Sequence, residues 1–473
     1  MLNSRPSSKV AFVTLVLLGA AAPSAACSDR DDVALGDERV GGPDAAPDID
    51  AGVDVVEPNT DASAFSGQVT CKEGIPCVTA LSASGGSHVC ALLSDKTMRC
   101  WGGNARGQLG VASASHGDAG VAADGGASVG PHSAKPVAVP GLPNVTQVSV
   151  SGILGTTCAR LEDGAVMCWG SNAQGQLGLD ADVVTADEAA HPTPLRVQGL
   201  PAASRVDLAG AFACAVGARS TETDEGAGMY CWGNNSAFQL GRGELPLAVG
   251  VIGPVGLRFR RVVAGGGTKR VAFAIRDNGE LLSWGGSEWT SSGYDIRRDA
   301  LGRETSFSPD GDPMEIPGLE DVTKVVAGDQ HACAIAKGTV HCWGANPSGA
   351  VGNSAHVDVF APYPVTLIGA GSIREVAASS KTTCVTDDVG AAFCWGDNAD
   401  GQLGGGDAEL TFKPVRVTAS LGARVVQIAT MDRATCALLE DGTVSCWGSN
   451  AEGQLGIGVR DDLPHHEAQT VVF

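Results

Sequence analysis

Seven copies of one eleven-residue pattern punctuate the chain, and each carries a Trp-Gly pair. They read CWGGNARGQLG from Cys100, CWGSNAQGQLG from Cys168, CWGNNSAFQLG from Cys231, SWGGSEWTSSG from Ser283, CWGANPSGAVG from Cys342, CWGDNADGQLG from Cys394 and CWGSNAEGQLG from Cys446. The tryptophans at 101, 169, 232, 284, 343, 395 and 447 are 68, 63, 52, 59, 52 and 52 residues apart, so a basal unit of 52 carries insertions in its earlier copies. A unit of that length cannot bury its own apolar face and must stack on its neighbours, which points to a propeller or similar array and away from a doubly wound enzyme. The repeat turns most of the 473 residues into one architecture.

The grammar inside a unit is that of short strands. From Val322, VTKVVAGDQHACAIAKGTVHCWGAN gives an alternating strand, a Gly-containing turn, a second strand with a Cys, another Gly turn, and a strand ending in Cys-Trp-Gly. A Pro-led strand, such as KPVAVPGL from Lys135, TPLRVQGL from Thr193 or KPVRVTAS from Lys413, is placed earlier in each unit, making four strands and one blade. Gly, at 65 residues, is about twice its usual share, which suits many tight turns. Within the motif, the Trp is expected to fill the gap between blades and the Gly after it to permit an approach that a Cβ would block. The Asn bonds its own turn, a later Gly takes positive φ, and the Leu returns to the core.

Cysteine spacing bears on the compartment. One Cys precedes the Trp in six of the units and another lies upstream, giving the pairs Cys90 with Cys100, Cys158 with Cys168, Cys214 with Cys231, Cys333 with Cys342, Cys384 with Cys394 and Cys436 with Cys446. The fourth unit has Phe273 and Ser283 at the two equivalent places, and such joint loss is what a disulfide predicts. Strands joined by a turn such as Glu440-Asp441-Gly442-Thr443 bring a pair face to face at disulfide distance. Cys71 and Cys77 make a seventh pair, and only Cys27 remains. The other readings are buried thiols or a zinc cluster, but C-x9-C once per unit is not zinc spacing, and an oxidising compartment is favoured. Neither a metal nor a cofactor is expected.

Residues 1–27 read as an export signal: Arg5 and Lys9, the apolar run Val10 to Ala22, then small residues up to Cys27. The run is too short to span a bilayer permanently. A lone Cys after small residues resembles a bacterial lipoprotein signal with Cys27 as the lipidated residue, although Ser24 stands where that signal usually has Leu. A plain cut after Ala26 is the alternative. Residues 28–66, rich in aspartate, Pro, Gly and Ala, are expected to be a disordered, self-repelling tether, and Asp48, Asp50 and Asp54 do not follow the order of a calcium loop.

From about residue 67 to 473 the chain resembles the regulator of chromosome condensation repeat family, because Trp-Gly-x-Asn-x-x-Gly-Gln-Leu-Gly recurs nearly intact in units one, two, six and seven. Units three, four and five depart from it at Phe238, at Ser287 to Ser292 and at Pro347 to Val351. The resemblance implies an all-β fold, a seven-bladed β-propeller of four-stranded antiparallel blades. It also implies a ring closed by the C-terminal strand, with His465 to Phe473 completing the first blade and removing two open edges. The family favours a His two residues before the first Cys. Here only His88 and His331 comply, against Thr156, Phe212, Val271, Thr382 and Ala434, and a structural turn role is expected of them.

Function is read from what interrupts the period. The formal charge of -21 and pI near 4.7 repel nucleic acid and anionic lipid. Gly126 to Gly130 matches a nucleophile-elbow pattern but lacks the strand before it and the helix after it. Insertions at 111–134, 179–192 and 286–312 are expected to crowd one rim, with 218–228 on the other face. The insertion at 286–312 carries Trp289, Tyr294, Arg297, Arg298 and Arg303, residue types that serve as binding anchors. The reading is a non-enzymatic, monomeric propeller of the cell envelope, an outer-membrane or cell-surface lipoprotein or else a periplasmic or secreted protein. It would bind a protein or envelope component through that rim, touching the membrane only through a lipid anchor and binding no nucleic acid. Two alternatives are a guanine-nucleotide exchange factor, which the export signal opposes, and an extracytoplasmic enzyme using the central channel.

Overall fold

The computed structural model describes residues 65–112, 131–179, 186–217, 228–241, 249–255, 259–264, 271–286, 300–305, 309–405 and 409–473. Its 28 strands form seven four-stranded sheets, each built from four consecutive strands paired antiparallel in chain order. Blade one consists of Val78–Ser82, His88–Leu93, Met98–Gly103 and His132–Ala138, and the last blade of Val425–Thr430, Ala434–Leu439, Val444–Gly448 and His465–Thr470. The core is a ring of interblade clusters with one buried Trp in each. All seven motif tryptophans are fully buried.

The strand phase differs from the sequence expectation by one position. The strand ending in Cys-Trp-Gly is the third of its blade, and the Pro-led strand follows it, as the pairing Cys100↔Val137 and its equivalents Cys168↔Leu195 and Cys394↔Val415 show. Proline explains the order. Pro136, Pro194 and Pro414 lie on outer strands, where a missing backbone N–H breaks no ladder.

The same shift corrects the expected closure. The terminal strand His465–Thr470 pairs with Val444–Gly448 and completes the seventh blade, while the first blade owns its outer strand. The seam between blades seven and one is sealed in other ways. Trp101 Nε1 donates to Gln454 O at 2.9 Å, and the Gln427 side chain clamps Leu81, accepting from its N–H at 2.9 Å and donating to its carbonyl at 2.8 Å. A strap of residues 65–77 crosses from blade six to blade one. Phe65 lies under the Arg424 guanidinium at 4.8 Å, Thr70 N donates to Glu440 O at 2.7 Å, and Ser94 N donates to Cys77 O at 2.9 Å.

Six cysteine pairs stand directly opposite each other on the second and third strands of a blade, with Cα atoms 4.1 Å apart, and each is a disulfide. Cys90 is bonded to Cys100 in blade one, Cys158 to Cys168 in blade two and Cys214 to Cys231 in blade three. Cys333 is bonded to Cys342 in blade five, Cys384 to Cys394 in blade six and Cys436 to Cys446 in blade seven. These twelve residues are completely buried or within 1% of it, so their place is in the sheet and not at a reactive surface. Cys71 and Cys77 are bonded within the strap. In blade four Phe273 and Ser283 occupy the opposed places. Such a set of bonds belongs in an oxidising environment. Among the described residues no helix is long and apolar enough to cross a membrane. Residues 1–64, with the expected signal, Cys27 and nearly all of the expected tether, lie outside the described residues, while Phe65 and Ser66, expected to end the tether, belong to the strap.

Candidate functional site

The motif itself is a connector. In each blade the turn after Trp-Gly presents a carbonyl to the tryptophan of the next blade: Gln108 O to Trp169, Gln176 O to Trp232, Gln239 O to Trp284, Ala300 O to Trp343, Ala350 O to Trp395, Gln402 O to Trp447 and Gln454 O to Trp101. The distances run from 2.7 Å for Trp395 to 3.0 Å for Trp169 and Trp447. A buried Asn holds that turn, as Asn104 Oδ1 does by accepting from Leu109 N at 3.0 Å. The closing glycine has no room for a side chain, since a Cβ on Gly404 would lie 2.7 Å from Trp447 Nε1 at a φ of 64°. The Gly after each Trp is equally constrained, because a Cβ on Gly102 would meet Ser87 O at 2.1 Å.

The three departing units keep this geometry. Phe238 takes a φ of 57° where five of the other turns have Gly, and Leu240 N still reaches Asn235 at 3.0 Å. Asn346 Oδ1 accepts from Val351 N at 2.9 Å in unit five. In unit four the motif is split by its insertion and resumes at Ala300-Leu301-Gly302, with Leu301 1% exposed and Ala300 O on Trp343. The signal for this was the likeness of Ala300-Leu301-Gly302 to Ala350-Val351-Gly352, hidden by the spacing.

His88 and His331 are buried in two seams of identical design. Each Nε2 faces a threonine of the next blade, Thr157 at 3.0 Å and Thr383 at 2.7 Å. Those hydroxyls donate onward to Gln108 O and Ala350 O, so each Nε2 carries the proton. Burial pulls the His88 pKa down to about 3 and that of His331 to about 4, which keeps both neutral. Their role is structural.

Of the rim residues proposed as anchors, Trp289, Tyr294, Arg297 and Arg298 lie outside the described residues, and Arg303 must be reassigned. Its side chain is 6% exposed and turned inward, donating from Nε to Ser283 Oγ at 3.1 Å, from Nη2 to Ser283 O at 3.0 Å and from Nη1 to Asp310 at 2.9 Å. A guanidinium committed in this way has little left for a partner. It serves the one blade whose second and third strands carry no disulfide.

All three insertions join the third strand of a blade to its outer strand, and 218–228 joins the second strand of blade three to its third, so the strand order has them leave the blades at opposite ends; residues 113–130, 180–185, 218–227 and 287–299 themselves lie outside the described residues. The first-to-second-strand turns emerge on the insertion face and converge on the axis. There they form a depression of about 390 Å³, with Gly86, Gly152 and Gly210 in its floor. Ile153, 41% exposed, lines it together with Asp329 and Asp432. Asp432 fixes the depression, accepting from Gly86 N at 2.9 Å and from the Ser380 hydroxyl, so that three turns are tied together.

Behind the depression, the inner strands line a channel of about 470 Å³. Its charges are internally matched: Arg205 grips Asp207 with two bonds, at 2.6 and 3.0 Å, and Lys324 pairs with Glu375. Gln147 accepts from Val206 N at 3.1 Å and donates to its carbonyl at 2.6 Å, as Gln427 does for Leu81. Among the described residues no three His, Cys, Asp or Glu side chains are placed to hold a metal.

Comparison with known proteins agrees with this geometry. The regulator of chromosome condensation (RCC1) repeat profile matches residues 163–216 and 389–438, and a second profile of the same description matches 78–108, 145–176, 322–350 and 425–454. The chain is similar to the ultraviolet-B receptor UVR8 of Arabidopsis thaliana, with 27% identity over 385 residues covering 80% of this chain and 78% of the receptor. It is 28% identical over 314 residues to the E3 ubiquitin-protein ligase HERC2 of Homo sapiens, a match covering 63% of this chain and only 6% of the ligase. Among solved structures, human WBSCR16 superposes with a TM-score of 0.62 at 20% identity, covering 79% of this chain and 93% of that one. Prp20p of Saccharomyces cerevisiae gives 0.61 at 16% identity, covering 86% and 90%. The repeat profiles, the blade register and the tryptophan contacts concur: the chain carries regulator of chromosome condensation (RCC1) repeats and is a seven-bladed propeller.

Proposed function

We propose that the protein is exported and acts as a non-catalytic docking platform, binding a protein or envelope component through the face that carries the three insertions. The observation that supports this reading best is the segregation of insertions. The motif turns themselves are consumed in holding blades together, and three of the four long insertions are connections between a third and an outer strand. Loops on a rigid scaffold are where binding residues concentrate. Trp289, Tyr294, Arg297 and Arg298 are the proposed contacts, and Ile153 of the depression adds apolar surface. Prp20p, whose structure was described together with its binding to Gsp1p and histones, offers a precedent for protein binding on this fold. Seven disulfides and the leader ending at Cys27 support export, with lipidation of Cys27 as the tether to the envelope.

The test is a loop exchange. Residues 287–299 are replaced by a short Gly-Ser segment, sparing Ala300 to Gly302, Arg303 and Asp310, which the blade needs. Partners recovered from an envelope extract by the full chain should be lost by the exchanged protein while its thermal unfolding is unchanged. Equal recovery by both proteins would sink the insertion-face reading.

A further inference from the structure

Six of the seven seams are crossed by a linker from the outer strand of one blade to the inner strand of the next. In three it reads Val or Ile, two residues, then Leu: Val139 to Leu142, Val197 to Leu200 and Ile316 to Leu319. Its glycine takes positive φ, 75° at Gly141 and 83° at Gly318, and its leucine packs into the seam. Leu319 is 5% exposed. In the first seam the socket is Met98, Val139, Val145 and Leu161. Leu367 and Leu421 pack into the seams on either side of blade six in the same manner.

The seam between blades seven and one has no linker, because its two strands come from opposite ends of the ring. In the same register its socket is Val444, Val471, Val78 and Leu93, and Gly74-Ile75-Pro76-Cys77-Val78 copies Gly141-Leu142-Pro143-Asn144-Val145. Gly74 keeps the linker's turn at a φ of 79°, yet Ile75, in register with Leu142, is 66% exposed. Beside it an apolar cavity of about 490 Å³ lies open, walled by Ile75, Pro76, Val78, Leu93, Val471 and Phe473. Its rim carries charges of both signs, Lys72 and Arg99 with Asp95 and Asp441.

We propose that this groove docks an extended aliphatic peptide segment of a partner protein, which lies along the strap at Ile75 and Pro76 and seats a leucine in the socket that Ile75 leaves open. The chain itself identifies the occupant: in five other seams the equivalent socket is filled by an aliphatic side chain on a linker segment. A rim of mixed charge selects for neither an acidic nor a basic peptide, so recognition rests on the apolar anchor. The groove opens among the second-to-third-strand turns at Asp95 and Asp441, on the face away from the insertions, and is a site additional to the one proposed above.

The probe is a fluorescein-labelled peptide Val-Pro-Gly-Leu-Pro-Asn, the sequence of residues 139–144, titrated into the full oxidised chain and read by anisotropy. Saturable binding is expected, weakened at least about tenfold by Leu→Asp in the peptide and by Thr443→Arg in the protein. Thr443 is exposed at the groove, so the new side chain covers it without entering the core. Ile75→Asp serves as a second blocking variant should Thr443→Arg unfold. A photoreactive residue at Ile75 reports the occupant, and crosslinking to the peptide supports the proposal. No saturable binding up to about 1 mM would overturn it. Crosslinking to a second copy, or to residues 1–64 of the same chain with the peptide shut out, would overturn it equally.

Discussion

The carbonyl that closes a motif turn serves two donors of the next blade. Gln108 O accepts both Trp169 Nε1 and the Thr157 hydroxyl, and Gln402 O accepts Trp447 and Thr435. Where the preceding blade supplies a His, the relay gains a third member that must stay neutral. The folded His88 and His331 resist protonation down to about pH 3 and 4, whereas the unfolded chain takes up these protons below its ordinary value of 6.5. Stability from these residues is therefore full above pH 6.5 and falls with acid, by about 1.4 kcal/mol per pH unit for each His. Thermal unfolding followed from pH 6.5 to 4.5 should show this slope, and the double variant His88→Gln/His331→Gln should flatten it. An unchanged slope would mean that carboxylates, not these histidines, set acid sensitivity. The closing glycine gives a second prediction. Gly404→Ala and Gly422→Ala both place alanine at positive φ, at a cost of about 1 to 2 kcal/mol. Only Gly404 faces a neighbouring tryptophan, and Gly422 has nothing within 4 Å. Gly404→Ala should thus cost a further ~1 to 3 kcal/mol, measured by denaturant midpoint, and equal losses would refute the packing argument.

Blade four shows what a blade requires when its disulfide is absent. Phe273 fills the space of one cysteine and packs edge-on against Trp343, with ring centroids 5.9 Å apart. Arg303 then joins the third strand to the outer one through Ser283 and Asp310. Arg303→Ala leaves the Asp310 carboxylate, 13% exposed, with the Thr305 hydroxyl and without its cation. Breaking a buried pair from one side costs about 3 to 5 kcal/mol. Hydrogen exchange should accelerate across 281–285 and 310–315 but not in the disulfide-stapled blade six, and Arg303→Lys should restore part of the protection. Uniform exchange in both blades would show the pair to be dispensable. The sequence reading placed Arg303 on the surface because a charged residue beside a long insertion looks like a loop residue. Nothing local distinguishes it from Arg297 or Arg298. The cysteine pairs were legible for the opposite reason. Cys90 and Cys100 lie within one hairpin, as do Cys158 and Cys168 or Cys436 and Cys446, so spacing and register are the same information. The looser spacings, Cys214 to Cys231 and Cys333 to Cys342, change only the turn between the strands and leave the two residues opposed. The relay from His88 to Thr157 joins different repeats, and only a comparison of each unit with its successor would have found it.

At the scale of the ring, a cyclic repeat hides its own phase, since a four-strand period reads the same from any starting strand. The blade content was therefore legible, while the choice of the first strand was not. Pro136, Pro194 and Pro414 held the missing information, because a residue without an N–H belongs on an outer edge. With the phase corrected, all seven disulfides lie within a blade or within the strap, and none crosses a seam. Covalent continuity across seams comes from linkers alone, and the seam between blades seven and one has none. It depends on the Trp101 to Gln454 bond, the Gln427 clamp and the strap. This seam should open first. In native-state hydrogen exchange the Trp101 indole proton should exchange before those of Trp169 and Trp395. The strap disulfide closes a short loop, which by chain entropy contributes about 2 kcal/mol. Cys71→Ser/Cys77→Ser should therefore speed exchange at Trp101 and at residues 78–82 while leaving the hairpin of Cys384 and Cys394 untouched. If Trp395 were to exchange as early as Trp101, the ring would open without regard to its missing linker, and the strap would have no part in closing it.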